Sequence, residues 1–313
     1  AIKYMWVRGA PLIGVTASYG MFFAVKDNSS ELNIRKAYDS LISTRPTAVD
    51  LKWALERILN SILKLKEKDR PNYLWNFCKE LESNSISQCS KIGDYGFEII
   101  KSKFIKGKTF NILTHCNAGW LACVDWGTAL APIYKAYNAG LDIHVWVDET
   151  RPRSQGAALT AWELSKHGVP NTLIVDNAGG HLMQSEKVDM CIVGSDRTAS
   201  NGDVCNKIGT YMKALCAFDN NIPFYVALPE STIDFSLESG VNKIKIEERD
   251  NEEITHVSGI NSSGALTRVK IVSDMVSSHN PGFDVTPARL VTKLITDKGI
   301  CEASTEGIRS LFR

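Results

Sequence analysis

The stretch N-I-L-T-H-C-N at residues 111–117, followed by Ala118 and Gly119, decides how the chain is read. Residues 111–114 have the composition of a short buried strand, and residues 117–119 that of a tight turn. Residues 120–138 then carry apolar side chains at helical spacing, with a kink expected at Pro132. A strand that passes through glycine into a helix puts its last residues at the carboxyl end of a sheet, where open α/β sheets keep their ligand crevice. Cys116 falls at that point. A thiol close to a helix N-terminus feels the positive end of its dipole, which favours the thiolate. The competing reading is a plain buried cysteine, a residue type common in cores.

Downstream, strand-like and helix-like runs alternate. Strands are predicted over 143–147, 172–175, 190–193 and 224–227, and helices over 160–166, 181–185 and 205–220. That rhythm is the signature of a parallel sheet with crossover helices. Residues 231–260 read as a polar, insertion-like surface region, and residues 285–288 as the cap of a last helix over 288–296. Upstream, Arg8-Gly9-Ala10 forms a turn ahead of a helix over 11–26, with Pro11 in its first turn. Further helices are predicted over 33–44, 48–65 (capped by Thr47), 73–81 and 87–104. A lysine-rich stretch over 101–108 marks a boundary. The expectation is an α/β chain with a mainly helical N-terminal domain, residues 1–106, and a parallel-sheet domain, residues 107–313. Residues 1–5 read as the end of a helix whose earlier residues are expected to be missing.

Composition narrows the function classes. Of 313 residues, 44% are apolar and 23% charged, as in ordinary globular proteins. With 36 basic and 35 acidic residues, the bulk charge points to no nucleic-acid partner. No apolar run approaches the ~20 residues of a membrane span. The eight cysteines form no C-x-x-C pair, which fits reduced thiols in a cytoplasmic protein and no structural zinc. There is no G-x-G-x-x-G after a strand and no P-loop, so no dinucleotide cofactor is expected.

The predicted strands all end in polar residues. The first ends at His115-Cys116-Asn117 and the second runs into Asp148 through Gly156, which includes Gln155. The third ends at Asp176 through His181, and the fourth at Gly194-Ser195-Asp196-Arg197 with Asp203, Asn206 and Lys207 shortly after. In a parallel sheet these ends share one rim. Asp196 beside a thiol in a dry pocket suits a general acid, and Asp203 a helix cap. Asn206 and Lys207 at a helix start, like Arg8 and Arg45 ahead of theirs, suit an anion. The residues alone describe an enzyme with a thiol and a carboxylate acting on a small phosphorylated metabolite.

Nine segments carry a more specific likeness. They include V-R-G-A-P-L-I-G (7–14), T-R-P-T-A-V-D-L (44–51), I-L-T-H-C-N-A-G (112–119), D-E-T-R-P-R-S-Q-G-A (148–157), T-A-W-E-L (160–164), V-G-S-D-R (193–197) and N-G-D-V-C-N-K-I-G-T-Y (201–211). In these motifs the chain resembles the 5-methylthioribose-1-phosphate isomerases of methionine salvage. The resemblance implies a Rossmann-like C-terminal domain, a homodimer, a sugar 1-phosphate substrate and no nucleotide or metal. It implies Cys116 and Asp196 as the catalytic pair, Arg8 with the backbone of Gly9 and Ala10 as the phosphate loop, and Arg45, Gln155, Asn206 and Lys207 as further substrate contacts. Isomerases of 5-deoxyribose 1-phosphate or ribose 1,5-bisphosphate are the nearest alternatives. A non-catalytic regulatory subunit of a translation-initiation guanine-nucleotide exchange complex is the alternative of another class.

Overall fold

The computed structural model describes residues 1–45 and 49–312, so Thr47, the expected cap, lies outside the described residues. The chain opens with helices α1 (Ala10–Asp27), α2 (Glu31–Ile42) and α3 (Val49–Ile62), followed by α4 (Arg70–Lys103). Ser30 caps α2 by accepting from the backbone N–H of Asn33. Ile13, Ala17 and Met21 of α1 pack with Leu51, Leu55 and Ile58 of α3 and Leu74 and Cys78 of α4. Residues 1–5 form a turn instead of a helix end.

Helix α4 corrects the prediction of two helices over 73–81 and 87–104. Its buried positions run Leu74, Cys78, Leu81, Ser85, Cys89, Ile92, Gly96 and Ile100, one face at helical spacing throughout. The polar stretch at 82–85 does not interrupt that face, because the small Ser85 occupies the buried position. Gly96 lets the next helix, α5 (Ala131–Asn138), lie against α4: a Cβ there would overlap Pro132. One helix therefore packs against both the N-terminal helices and the sheet layer.

Among the described residues seven strands form the central sheet. They are β1 (Phe110–Thr114), β2 (Ile143–Asp148), β3 (Asn171–Ile174), β4 (Met190–Val193), β7 (Phe224–Ala227), β12 (Lys293–Thr296) and β13 (Gly299–Cys301). A smaller sheet is made of β5 (Arg197–Ala199), β6 (Val204–Lys207), β8 (Ile233–Asp234) and β11 (Phe283–Thr286), and a hairpin of β9 (His256–Ile260) and β10 (Leu266–Lys270). Crossovers use α6 (Ala161–His167), α7 (Ala178–Gln184) and α8 (Thr210–Asp219); the short α9 (Glu252–Thr255) precedes the hairpin and α10 (Thr305–Phe312) ends the described chain. The central order is β13-β12-β7-β4-β1-β2-β3, parallel except for the β12–β13 pair. This is the doubly wound arrangement, with its order reversing between β1 and β4. Among the described residues no helix is long and apolar enough to cross a membrane.

Three predicted helices change. Of 120–138 only the end is α5; a single 3₁₀ turn, Trp120–Ala122, stands at the start, and Pro132 sits in the first turn of α5 instead of kinking a longer helix. Residues 204–207 pair with β11, and Gly209 at φ 101° stops the strand before α8 begins at Thr210. Residues 293–296 are a buried strand beside β7. In each case a short apolar run fitted either element until its neighbours were known. Residues 231–260 hold β8 and α9 and, as described below, reach the site.

Where α3 meets the turn before β8, Asp50 is buried and accepts from Thr232 Oγ1 at 3.4 Å. Burial pushes its carboxyl up to about 6 from an ordinary 3.8. A raised folded pKa means that this residue's contribution is fully present below the ordinary value and lost as pH rises through about 6. Asp50→Asn should therefore stabilise the fold above pH ~6.5, by on the order of 2–3 kcal/mol, relative to its effect near pH 4. Thermal unfolding of both proteins at the two pH values tests this. An equal effect at both would contradict it.

Candidate active site

All nine sequence-predicted residues border one recess of about 600 Å3, part of it open to solvent, outside the carboxyl ends of β1 and β4. Two strand ends form its floor. After β1 the chain holds Cys116 at φ 67°, a left-handed conformation uncommon for a side chain larger than glycine. Both backbone groups of Cys116 are tied down: its N–H donates to Thr150 Oγ1 at 2.8 Å, and its carbonyl accepts from Thr160 Oγ1 at 2.6 Å. After β4, Gly194 brings this end against the first, since a Cβ there would lie 2.8 Å from Ala118 Cβ. Asp196 follows, its N–H donating to the Cys205 carbonyl at 3.0 Å.

The electrostatics differ from the sequence expectation. A 3₁₀ turn, not a helix N-terminus, follows Cys116. Burial pushes the thiol above its ordinary range, while Lys207 and Arg8 pull it back toward thiolate. Burial likewise raises the Asp196 carboxyl, opposed by Lys207, Arg45 and Arg8. Gln155 lies between two of these groups. A guanidinium only donates, so the Gln155 oxygen faces Arg8 Nε and Nη1, at 3.2 and 3.0 Å. Its amide nitrogen then faces Cys116 Sγ at 3.4 Å.

The cations come from separate elements. Arg8 precedes α1 and donates through Nη2 to Asn117 Oδ1 at 2.6 Å. Gly9, at φ 91°, packs so closely that a Cβ would overlap the Ala122 carbonyl. Asn206 and Lys207 stand at the end of β6 and not at a helix start, because β6 pairs with β11 through that point. Lys207 Nζ donates to the Gly282 carbonyl at 2.9 Å and sits 4.4 Å above the Phe283 ring. Burial lowers its pKa, and Cys116 and Asp196 oppose that shift. Arg45 pairs with Glu247 at 3.0 Å, and its buried Nε has no hydrogen-bond partner among the described residues.

Other neighbours of the recess take roles that the sequence did not predict. Glu247 belongs to the region read as surface, yet a chain of ion pairs runs from it through Arg249 and Glu253 to Arg153, in the loop that carries Gln155. Asp203 caps no helix; it accepts from the backbone of Gly240, Val241 and Ala288 and pins those loops. Beneath Cys116, His115 Nδ1 meets Asp148 Oδ2 at 2.9 Å and its Nε2 meets the Ile208 carbonyl at 2.8 Å. His115, Asp148 and Asp176 lie close enough to hold a cation. The Lys213 ammonium sets a positive charge beside this group, 3.1 Å from Asp148 Oδ2 and donating to the Asp176 backbone carbonyl at 2.5 Å.

The chain is similar to known proteins over nearly its whole length. The family model described as the initiation factor 2 subunit family matches residues 6–303. A methylthioribose-1-phosphate isomerase of Paramagnetospirillum magneticum is 56% identical over 313 residues, all of this chain and 86% of the relative. The crystal structure of 5-methylthioribose 1-phosphate isomerase from Pyrococcus horikoshii OT3 superposes with a TM-score of 0.84 at 38% identity, covering 100% of this chain and 85% of the other. The structure of translation initiation factor eIF-2B, subunit delta, from A. fulgidus gives 0.79 at 38% identity, covering 99% and 88%.

Gly9→Ala would add a Cβ against Ala122 and force alanine into a conformation that costs it ~1–3 kcal/mol. The expected result is a thermal midpoint lower by about 2–6 °C, read by calorimetry. An unchanged midpoint would show that the loop does not pack as described.

Proposed function

The chain belongs to the initiation factor 2 subunit family, and from its site we infer a methylthioribose-1-phosphate isomerase, converting 5-methylthioribose 1-phosphate to 5-methylthioribulose 1-phosphate. The observation that carries this reading is the meeting of Cys116 and Asp196 on the two strand ends, facing Arg8, Arg45 and Lys207 in one recess. An aldose 1-phosphate needs such a set. Its anomeric oxygen is esterified, so ring opening gives no free aldehyde. Overall, the C2 hydrogen moves to C1, the ring oxygen gains a proton and the 2-hydroxyl loses one.

Asp196 is the acid toward the ring oxygen. Its burial favours the protonated form, which the ring oxygen needs. Cys116 takes the C2 proton in an enediolate route, its thiolate supported by Lys207, Arg8 and the Gln155 amide. In the rival hydride route the C2 hydrogen passes directly to C1. Arg8, the N–H groups of Gly9 and Ala10, and Lys207 bind the phosphate at the start of α1, where N–H groups and the helix dipole favour an anion. Arg45, Gln155 and Asn206 complete the substrate contacts. Residues 1–106 and 107–313 act as two domains that share one substrate. The protein works as a cytoplasmic homodimer in methionine salvage, without a cofactor.

A second recess of about 440 Å3 adjoins the first at Asp196, with apolar wall from Ile13, Val49, Cys205, Ile244 and Phe283. Its arginines are engaged, Arg45 with Glu247 and Arg197 with Asp234, and its lysine, Lys245, is solvent-exposed. This suits an apolar methylthio group better than the second phosphate of ribose 1,5-bisphosphate. The regulatory-subunit reading is disfavoured by the presence of both Cys116 and Asp196.

The test is ketose 1-phosphate formation from 5-methylthioribose 1-phosphate, 5-deoxyribose 1-phosphate and ribose 1,5-bisphosphate, assayed side by side. The methylthio sugar should have the highest kcat/KM, and Cys116→Ser and Asp196→Asn should each lower kcat by about three orders of magnitude or more. Preference for another sugar would reassign the substrate. Near-normal turnover in either variant would remove that residue from its role.

A further inference from the structure

The phosphate loop is held from behind by a residue that does not border the recess. Glu163, on α6, is completely buried. Its Oε1 accepts from Asn117 Nδ2 at 2.9 Å and from the Leu121 N–H at 3.0 Å. Its Oε2 accepts from the Trp120 N–H and the Tyr134 hydroxyl, both at 3.0 Å. Gly119 leaves the space for this, because a Cβ there would overlap the carboxylate.

Both groups that Glu163 holds bear on the anion site. Asn117 uses its amide N–H groups on Glu163 and on Thr160 Oγ1, and turns its oxygen to Arg8 Nη2 at 2.6 Å. The turn at Trp120–Ala122, fixed by the two backbone N–H groups, is the surface on which Gly9 packs. We propose that Glu163 is a positioning residue: through Asn117 it aims the Arg8 guanidinium, and through the turn it seats Gly9, so that both meet the substrate phosphate. This rests on the reading of Arg8 and Gly9 as the phosphate loop. Burial pushes the Glu163 carboxyl up, and the hydrogen bonds from Asn117, Leu121, Tyr134 and Trp120 pull it back toward the carboxylate, whose charge matters as well as its shape. It polarises the Asn117 amide toward the cation, and it satisfies two backbone donors that would otherwise be buried without partners. A glutamine in its place would aim an NH2 group at donors.

The test is a double-mutant cycle between Glu163→Gln and Arg8→Ala. The readouts are the inhibition constant of inorganic phosphate, KM for 5-methylthioribose 1-phosphate, and kcat. Glu163→Gln alone should raise the inhibition constant and KM together by about tenfold while kcat changes less than about threefold. In the Arg8→Ala background, Glu163→Gln should add no more than about threefold, the remainder being the seating of Gly9, which Arg8→Ala leaves in place. If the two effects multiply, Glu163 acts only on general stability and the proposal is overturned. The same holds if kcat alone falls. Should Glu163→Gln not fold, Asn117→Ser cuts the relay while leaving the backbone donors on Glu163, and the same cycle decides. If Arg8→Ala itself leaves phosphate inhibition unchanged, the phosphate-loop reading fails and the proposal with it. Multiplying effects on top of an Arg8→Ala defect would overturn the positioning role alone.

Discussion

The site depends on one topological constraint, the reversal of strand order between β1 and β4. The chain leaves β1 toward β2 and leaves β4 toward β7, so the loops beyond these neighbouring strands part and open a crevice. Everything else in the site is built on that parting. Cys116 stands on one lip and Asp196 on the other. Gly194 keeps the two lips in contact at their base. The smaller sheet grows from the Asp196 side and returns at Lys207, which brings a cation back over the crevice. The start of α1 closes the remaining side with Arg8 and Gly9.

Charge is the second constraint. Arg8, Arg45 and Lys207 are buried around the same recess. A buried charge is tolerated when it is paired and hydrogen-bonded. Among the described residues, Arg8 has Asn117 and Gln155, Arg45 has Glu247, and Lys207 has a carbonyl and an aromatic face besides Cys116 and Asp196 nearby. Such a concentration of positive charge in a desolvated recess favours a doubly negative phosphate. The same cations moderate the thiol and the carboxyl, both of which burial alone would hold strongly neutral.

Much of this was legible in the chain. The β–α alternation and the polar strand ends were local signals, and β4 and β7 lie where their apolar runs predict. What local pattern could not supply was the identity of a short apolar run whose partner is distant. Residues 204–207 became a strand because 283–286 pair with them, and 293–296 because β7 lies beside them. The break predicted in α4 came from reading 82–85 as polar, when Ser85 keeps the buried face continuous. Arg45 meets Glu247 across 202 positions, a pairing that no spacing encodes. Glu163 did leave a trace: an acidic residue beside Leu164 in A-W-E-L, on a helix otherwise apolar toward the sheet. A carboxylate in such a place needs donors, and the glycine at 119 that makes room for it lies in the stretch that decides the fold.

The most direct measurement is a crystal structure of the protein with 5-methylthioribulose 1-phosphate bound. The account predicts the phosphate on Arg8, Lys207 and the N–H groups of Gly9 and Ala10, with C1 and C2 lying between Cys116 Sγ and the Asp196 carboxyl. A product bound with its phosphate elsewhere, or with C1 and C2 beyond contact of both side chains, would contradict it.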